Sequence, residues 1–148
     1  MNNFLYNLAG LLITFTSFYN PPAAVQSGSN LTVELTGLHN SKGLVLLSLY
    51  NQKDGFPSDP AKAYSKDKTF IKDGKASFEY KALPAGTYAI AVLHDENGNL
   101  KMDTKFLGLP KEGYGFSRDP TLYFGPPSFK SASFQHGAEQ LIKISIKY

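Results

Sequence analysis

The stretch Leu141-Ile142-Lys143-Ile144-Ser145-Ile146-Lys147-Tyr148 decides the fold class. Ile142, Ile144, Ile146 and Tyr148 fall on one side of an extended chain, and Lys143, Ser145 and Lys147 on the other. Successive side chains in a strand point to opposite faces, so a slip of one residue would bury both lysines. The same period recurs earlier, where Leu31, Val33 and Leu35 alternate with Thr32, Glu34 and Thr36. Leu44 to Tyr50 is apolar at nearly every position, which predicts a central strand covered on both faces. Thr69 to Ile71 and Ala76 to Tyr80 flank Asp73-Gly74, a hairpin signal because glycine accepts positive φ. Leu83-Pro84-Ala85-Gly86 turns the chain into another apolar run, Thr87 to Leu93. Helical periodicity is not sustained anywhere, and Pro60 to Lys66 has room for about two turns at most. About seven short strands separated by turn residues predict an antiparallel, immunoglobulin-like β-sandwich.

Composition narrows the function classes. The 148 residues make one domain, and 42% hydrophobic against 18% charged residues leaves enough apolar surface for a core. The net charge of +3 comes from scattered lysines and a single arginine, Arg118, so no phosphate-binding face is concentrated and no nucleic-acid partner is expected. Cysteine is absent, which excludes disulfides, thiol catalysis, cysteine-bound zinc and iron–sulfur clusters.

No charged side chain precedes Glu34, and Phe4 to Tyr19 is dominated by apolar and aromatic residues. A spanning helix needs roughly 20 apolar residues, and this run is shorter and is broken by Thr14, Thr16 and Ser17. It reads as the apolar part of a secretory signal, residues 1–27, with cleavage near Ala24 to Ser27 after Pro21-Pro22. No lysine or arginine precedes the run, so a buried N-terminal segment or a retained anchor is the alternative. The expectation is an exported protein, periplasmic or extracellular, with residues 28–148 as its single β-sandwich and no stable transmembrane anchor after cleavage.

Between Asn99 and Lys130 the chain shows little strand or helix pattern but holds many glycines, prolines and rings. Disordered segments are poor in such rings, so an ordered excursion is expected. Its rings either plug an open edge of the sandwich or line a groove for a small molecule, glycan, peptide or envelope-protein partner. The candidates for that surface are Tyr114, Phe116, Tyr123, Phe124 and Phe129, bordered by Phe56, Pro57 and Tyr64 if the two loops share one end.

The excursion is entered through His94-Asp95-Glu96-Asn97-Gly98-Asn99-Leu100-Lys101-Met102-Asp103. Asp95, Asn97, Asn99 and Asp103 stand at relative positions 1, 3, 5 and 9, a spacing that gathers hard oxygens as Ca²⁺ requires. Against a calcium loop, Gly98 falls one place early and Phe106 occupies the place of the bidentate glutamate. Asn97-Gly98 alone is also a type I′ turn signal that needs no ion. His94 shares a strand face with Tyr88, Ile90 and Val92, which makes it a histidine at the core's edge. No nucleophile elbow, Walker spacing or paired-histidine zinc motif occurs in the chain.

The run "LPAGTYAIAVLHDENGNLKMDTKFLGLPKEGYGFS", the later "FGPPSFKSASF" and "GFPSDPAKAY" at Gly55 to Tyr64 together resemble the bacterial family called domain of unknown function 2141. The resemblance spans roughly Leu31 to Lys147 and implies an exported sandwich in the style of transthyretin-like and carboxypeptidase-regulatory-like domains. It implies no activity. Asp95, Asn97, Gly98, Asn99 and Asp103 match the family's acidic turn. Gly108, Pro110, Gly113, Tyr114, Gly115 and Phe116 match its glycine–aromatic loop, and Phe124, Gly125, Pro126 and Phe129 its second aromatic loop. Leu100 departs from the glycine common after "NGN", and Lys105 from a small polar residue. The leading expectation is an exported, non-catalytic binding module whose acidic turn is held by its own hydrogen bonds or by Ca²⁺. The alternatives are a hydrolase using Asp95, Asp103, Glu112 or His94, and a purely structural envelope protein.

Overall fold

The computed structural model describes residues 28–148, so the expected signal sequence and its cleavage site lie outside the described residues. Eight strands follow in order: β1 (Ser29–Thr36), β2 (Leu44–Tyr50), β3 (Ser65–Thr69), β4 (Ala76–Leu83), β5 (Gly86–Asp95), β6 (Gly113–Phe116), β7 (Phe134–His136) and β8 (Gln140–Ser145). One sheet has the order β4-β1-β8 and the other β3-β2-β5-β6, with β7 also paired to β5. A single helical turn, α1 (Phe129–Ala132), precedes β7, its Ser128 hydroxyl accepting the Ser131 N–H.

The expected alternation sets the core. Leu31, Val33 and Leu35 of β1, Phe78 and Tyr80 of β4 and Ile144 of β8 pack against Val45, Leu47 and Leu49 of β2 and Tyr88, Ile90 and Val92 of β5. Each such side chain contributes roughly 1.5–3 kcal/mol on burial. Lys143 and Lys147 stay in solvent, as their register requires.

Four expectations are refined. β1 and β8 run parallel, from Leu31 beside Gln140 to Thr36 beside Ser145, whereas the other ladders are antiparallel. The two are distant in sequence, so no tight turn forces them into opposite directions. The Asp73-Gly74 turn forms, with Lys72 and Lys75 exchanging 2.9 Å hydrogen bonds and both central residues at positive φ. Its arms then separate: β3, a polar Ser-Lys-Asp-Lys-Thr edge, joins β2 while β4 joins β1. β2 is buried on its core side, but on the other side Leu44, Leu46 and Ser48 are half-buried and only Tyr50 is fully covered, its ring perpendicular to that of Phe56 at 5.3 Å.

Finally, the stretch expected to lack strands contains β6, Gly-Tyr-Gly-Phe, on the edge of the second sheet. Its glycines erase the apolar alternation because they occupy the core side. A Cβ on Gly115 would meet the Ile144 methyl at 2.7 Å, and one on Gly113 the Ile146 methyl at 2.7 Å. That closeness lets the C-terminal residues cross between sheets. Ile146 still donates to Thr36 of the first sheet at 2.8 Å, while Lys147 and Tyr114 exchange bonds of 2.8 and 2.9 Å in the second. Gly115→Ala is therefore expected to destabilise by about 1–3 kcal/mol in chemical denaturation. An unchanged midpoint would mean that β8 does not press on β6.

Candidate functional site

β5 ends on two buried polar residues that organise one end of the sandwich. His94 lies on the core side in line with Val92, Ile90 and Tyr88, as its position in the strand predicts. Its Nε2 sits 2.9 Å from the Lys42 carbonyl, and its Nδ1 2.6 Å from the Tyr148 hydroxyl. A carbonyl only accepts, so Nε2 carries the proton, and in the neutral ring Nδ1 accepts from Tyr148. The Tyr148 oxygen accepts the His39 N–H at 3.3 Å, and the two rings stack at 3.6 Å. Burial pushes the Tyr148 hydroxyl above its ordinary pKa against the opposing pull of that N–H. His39 Nε2 meets Glu96 at 3.0 Å, and the Asn40 amide donates to the other Glu96 oxygen at 3.1 Å. Partial burial pushes the Glu96 carboxyl up, but Asn40 and His39 outweigh it and hold it below its ordinary range.

Asp95 is 0% exposed, and its carboxylate accepts three backbone N–H groups: Gly98 at 2.8 Å, Asn99 at 3.2 Å and Leu100 at 2.8 Å. Asn97 and Asn99 each donate a side-chain amide to Asp103, at 2.6 and 3.0 Å. The four residues offered to calcium therefore meet in one turn, but amide and backbone donors face both carboxylates. The turn is not type I′, because Asn97 keeps a negative φ while Gly98 and Leu100 take positive values. The pull of Asp95 on three successive N–H groups sets that geometry. Glu112, 4% exposed, bridges the Glu96 and Asp103 N–H groups at 3.0 Å each.

On this base stands a closed hairpin. Lys111 N–H donates to the Asp103 carbonyl at 2.9 Å, Thr104 bridges Pro110, and Lys105 N–H donates to Leu109 at 2.7 Å. Leu107 and Gly108 turn its tip at positive φ, leaving Phe106 89%, Leu107 83% and Leu109 59% exposed. None of these three is among the site residues expected from the sequence. What distinguishes them is a short apolar run around a glycine, bounded by Lys105 and Lys111, with no strand to join.

The expected aromatic surface divides instead of forming one groove. Phe56 reaches the excursion, edge-on to Phe116 at 6.2 Å and Phe129 at 5.9 Å, and Tyr114 lies beside Phe116 at 5.9 Å. Tyr114, Phe116 and Phe129 are half-buried there and cover part of the second sheet's outer side. Tyr64 packs instead on Tyr88 at 5.7 Å. Tyr123 and Phe124 form a separate tip, 84% and 99% exposed. Ser117, which no sequence pattern marks, has a buried hydroxyl that accepts the Ile90 N–H at 2.9 Å and donates to the Ala132 carbonyl, tying the end of β6 to β5 and α1.

A family model described as "Uncharacterized protein conserved in bacteria (DUF2141)" matches residues 33–143, from the middle of β1 into β8. The chain belongs to the DUF2141 family. No curated protein and no solved structure matches it. The match spans every loop discussed above, so the carboxylate-held turn and both exposed tips fall inside the DUF2141 domain of this chain.

Asp95→Ala leaves three N–H groups without their acceptor, and a loss of about 3 kcal/mol is expected in chemical denaturation, with Asp95→Asn losing less. Because the donors already fill the turn, millimolar calcium is expected to leave the melting temperature unchanged; a rise abolished by Asp103→Asn would instead assign an ion. Glu96 adds a pH signature. A carboxyl held low in the folded state stabilises above its ordinary pKa and loses that contribution as pH falls through the folded value. The stability gap between wild type and Glu96→Gln should thus be open at neutral pH and close in acid.

Proposed function

We propose that this DUF2141 protein is an exported, non-catalytic binding module that engages its partner through the exposed tips of the 99–130 excursion. One observation carries the reading. Phe106, Leu107, Leu109, Tyr123 and Phe124 are all more than half exposed, although backbone bonds and buried carboxylates hold the first tip in one conformation. Apolar side chains left in solvent favour a binding role, and at the first tip the closed stem lowers the cost of ordering the loop on contact. The residues available for hydrolysis are engaged elsewhere. His94, Asp95 and Glu112 are buried against backbone partners, and both Asp103 oxygens accept asparagine amides. Export rests on the uncharged apolar run ahead of Glu34 and its small-residue boundary.

Two measurements test this. The triple variant Phe106→Ser, Leu109→Ser, Phe124→Ser should melt within a few degrees of wild type yet lose whatever component the wild-type protein retains from an extract of the producing cell's envelope. Identical retention by both would remove the binding role. Fractionation followed by N-terminal sequencing should find the mature chain outside the cytoplasm, starting close to Gly28. An uncleaved cytoplasmic chain would remove export.

A further inference from the structure

We propose that the hairpin from Lys101 to Lys111 is a prong that inserts Phe106, Leu107 and Leu109 into the interface of an anionic lipid surface. This names the partner class for the binding reading above and rests on it. Lys105 and Lys111 flank the apolar run in the chain, Lys101 stands just before the hairpin's foot, and all three are exposed. Among the described residues the ion-paired lysines are Lys62 and Lys143, so these three are free to meet headgroups. The carboxylates nearby point away from that role. Asp103 is half-buried with both oxygens on Asn97 and Asn99, and Glu112 is buried on two backbone N–H groups. The prong therefore presents an apolar point with exposed, unpaired lysines beside it, while the carboxylates at its foot are held on amide and backbone donors.

That combination suits a bilayer better than a protein. Three side chains cover far less than the roughly 800 Å² per partner buried in stable protein interfaces, and lysine is depleted at the centre of such interfaces. Interfacial membrane binding instead combines shallow insertion of Phe and Leu with lysines at the headgroup level, where an anionic surface attracts them. The closed stem, with its Lys105-to-Leu109 and Lys111-to-Asp103 hydrogen bonds, removes the cost of ordering the loop on contact.

The chain has no tryptophan, so Phe106→Trp places a unique reporter at the tip of the full-length protein. Its emission should shift to the blue with vesicles of equal parts phosphatidylglycerol and phosphatidylcholine, respond far less to phosphatidylcholine alone, and revert in high salt. In co-sedimentation, Phe106→Ser with Leu107→Ser, and separately Lys105→Glu with Lys111→Glu, should each lower the bound fraction about tenfold at unchanged melting temperature. Comparing variants in the same full chain cancels any contribution from residues 1–27. No emission change, equal response to both vesicle types, or binding unaltered in both double variants would overturn the lipid assignment. If the vesicles fail while retention of an envelope component still depends on Phe106, the lipid assignment falls and the binding reading stands.

Discussion

The crossing of the C-terminal residues from one sheet to the other is the constraint on which the site end depends. Ile146 is still bonded to Thr36 in the first sheet, and Lys147 is already paired with Tyr114 in the second. One continuous segment thus pairs with β1 in the first sheet and bridges the edge strand β6 of the second at Tyr114. The crossing requires β6 to come close, which Gly113 and Gly115 permit, and it delivers the Tyr148 hydroxyl to His94. From there, hydrogen bonds and stacking run through His39 and Glu96 to Glu112 and the foot of the hairpin.

At this end backbone N–H groups face the buried carboxylates of the acidic loop. A buried Asp or Glu is costly unless donors surround it, and Asp95 and Glu112 together face five backbone N–H groups. Such bonds leave little freedom in the turn. They also turn its negative charge inward, which is why an apolar and positively charged tip can rise directly from an acidic stretch of sequence.

The strand pattern was legible wherever one side of a strand meets the core: β1 and β8 follow their alternation as far as Thr36 and Ser145, β4 and β5 fall on the runs at Ala76 to Tyr80 and Thr87 to Leu93, and the Asp73-Gly74 turn falls on its two residues. What escaped was information that does not reside in local pattern. β6 was hidden because its inward positions are glycines chosen by the neighbouring isoleucines. The parallel β1–β8 pairing and the division of β3 and β4 between sheets depend on long-range placement, which side-chain period does not encode. At the site, the oxygen-rich spacing of Asp95 to Asp103 was visible, but whether its oxygens face a cation or N–H groups depends on backbone dihedrals. Ring count drew attention to Tyr114, Phe116 and Phe129, while burial divided those half-covered rings from the bare tips at Phe106 and Phe124.

The parallel pairing of β1 with β8 gives the domain a direction. Ser29 hydrogen-bonds His136, which pairs with Gly86 at the start of β5, and Asp95 lies at the far end of that strand, about 30 Å away. Whatever the chain carries ahead of Ser29 thus joins at the pole opposite the hairpin tip. A contact made at Ser29 and one made at the hairpin tip are therefore met from opposite sides of the domain.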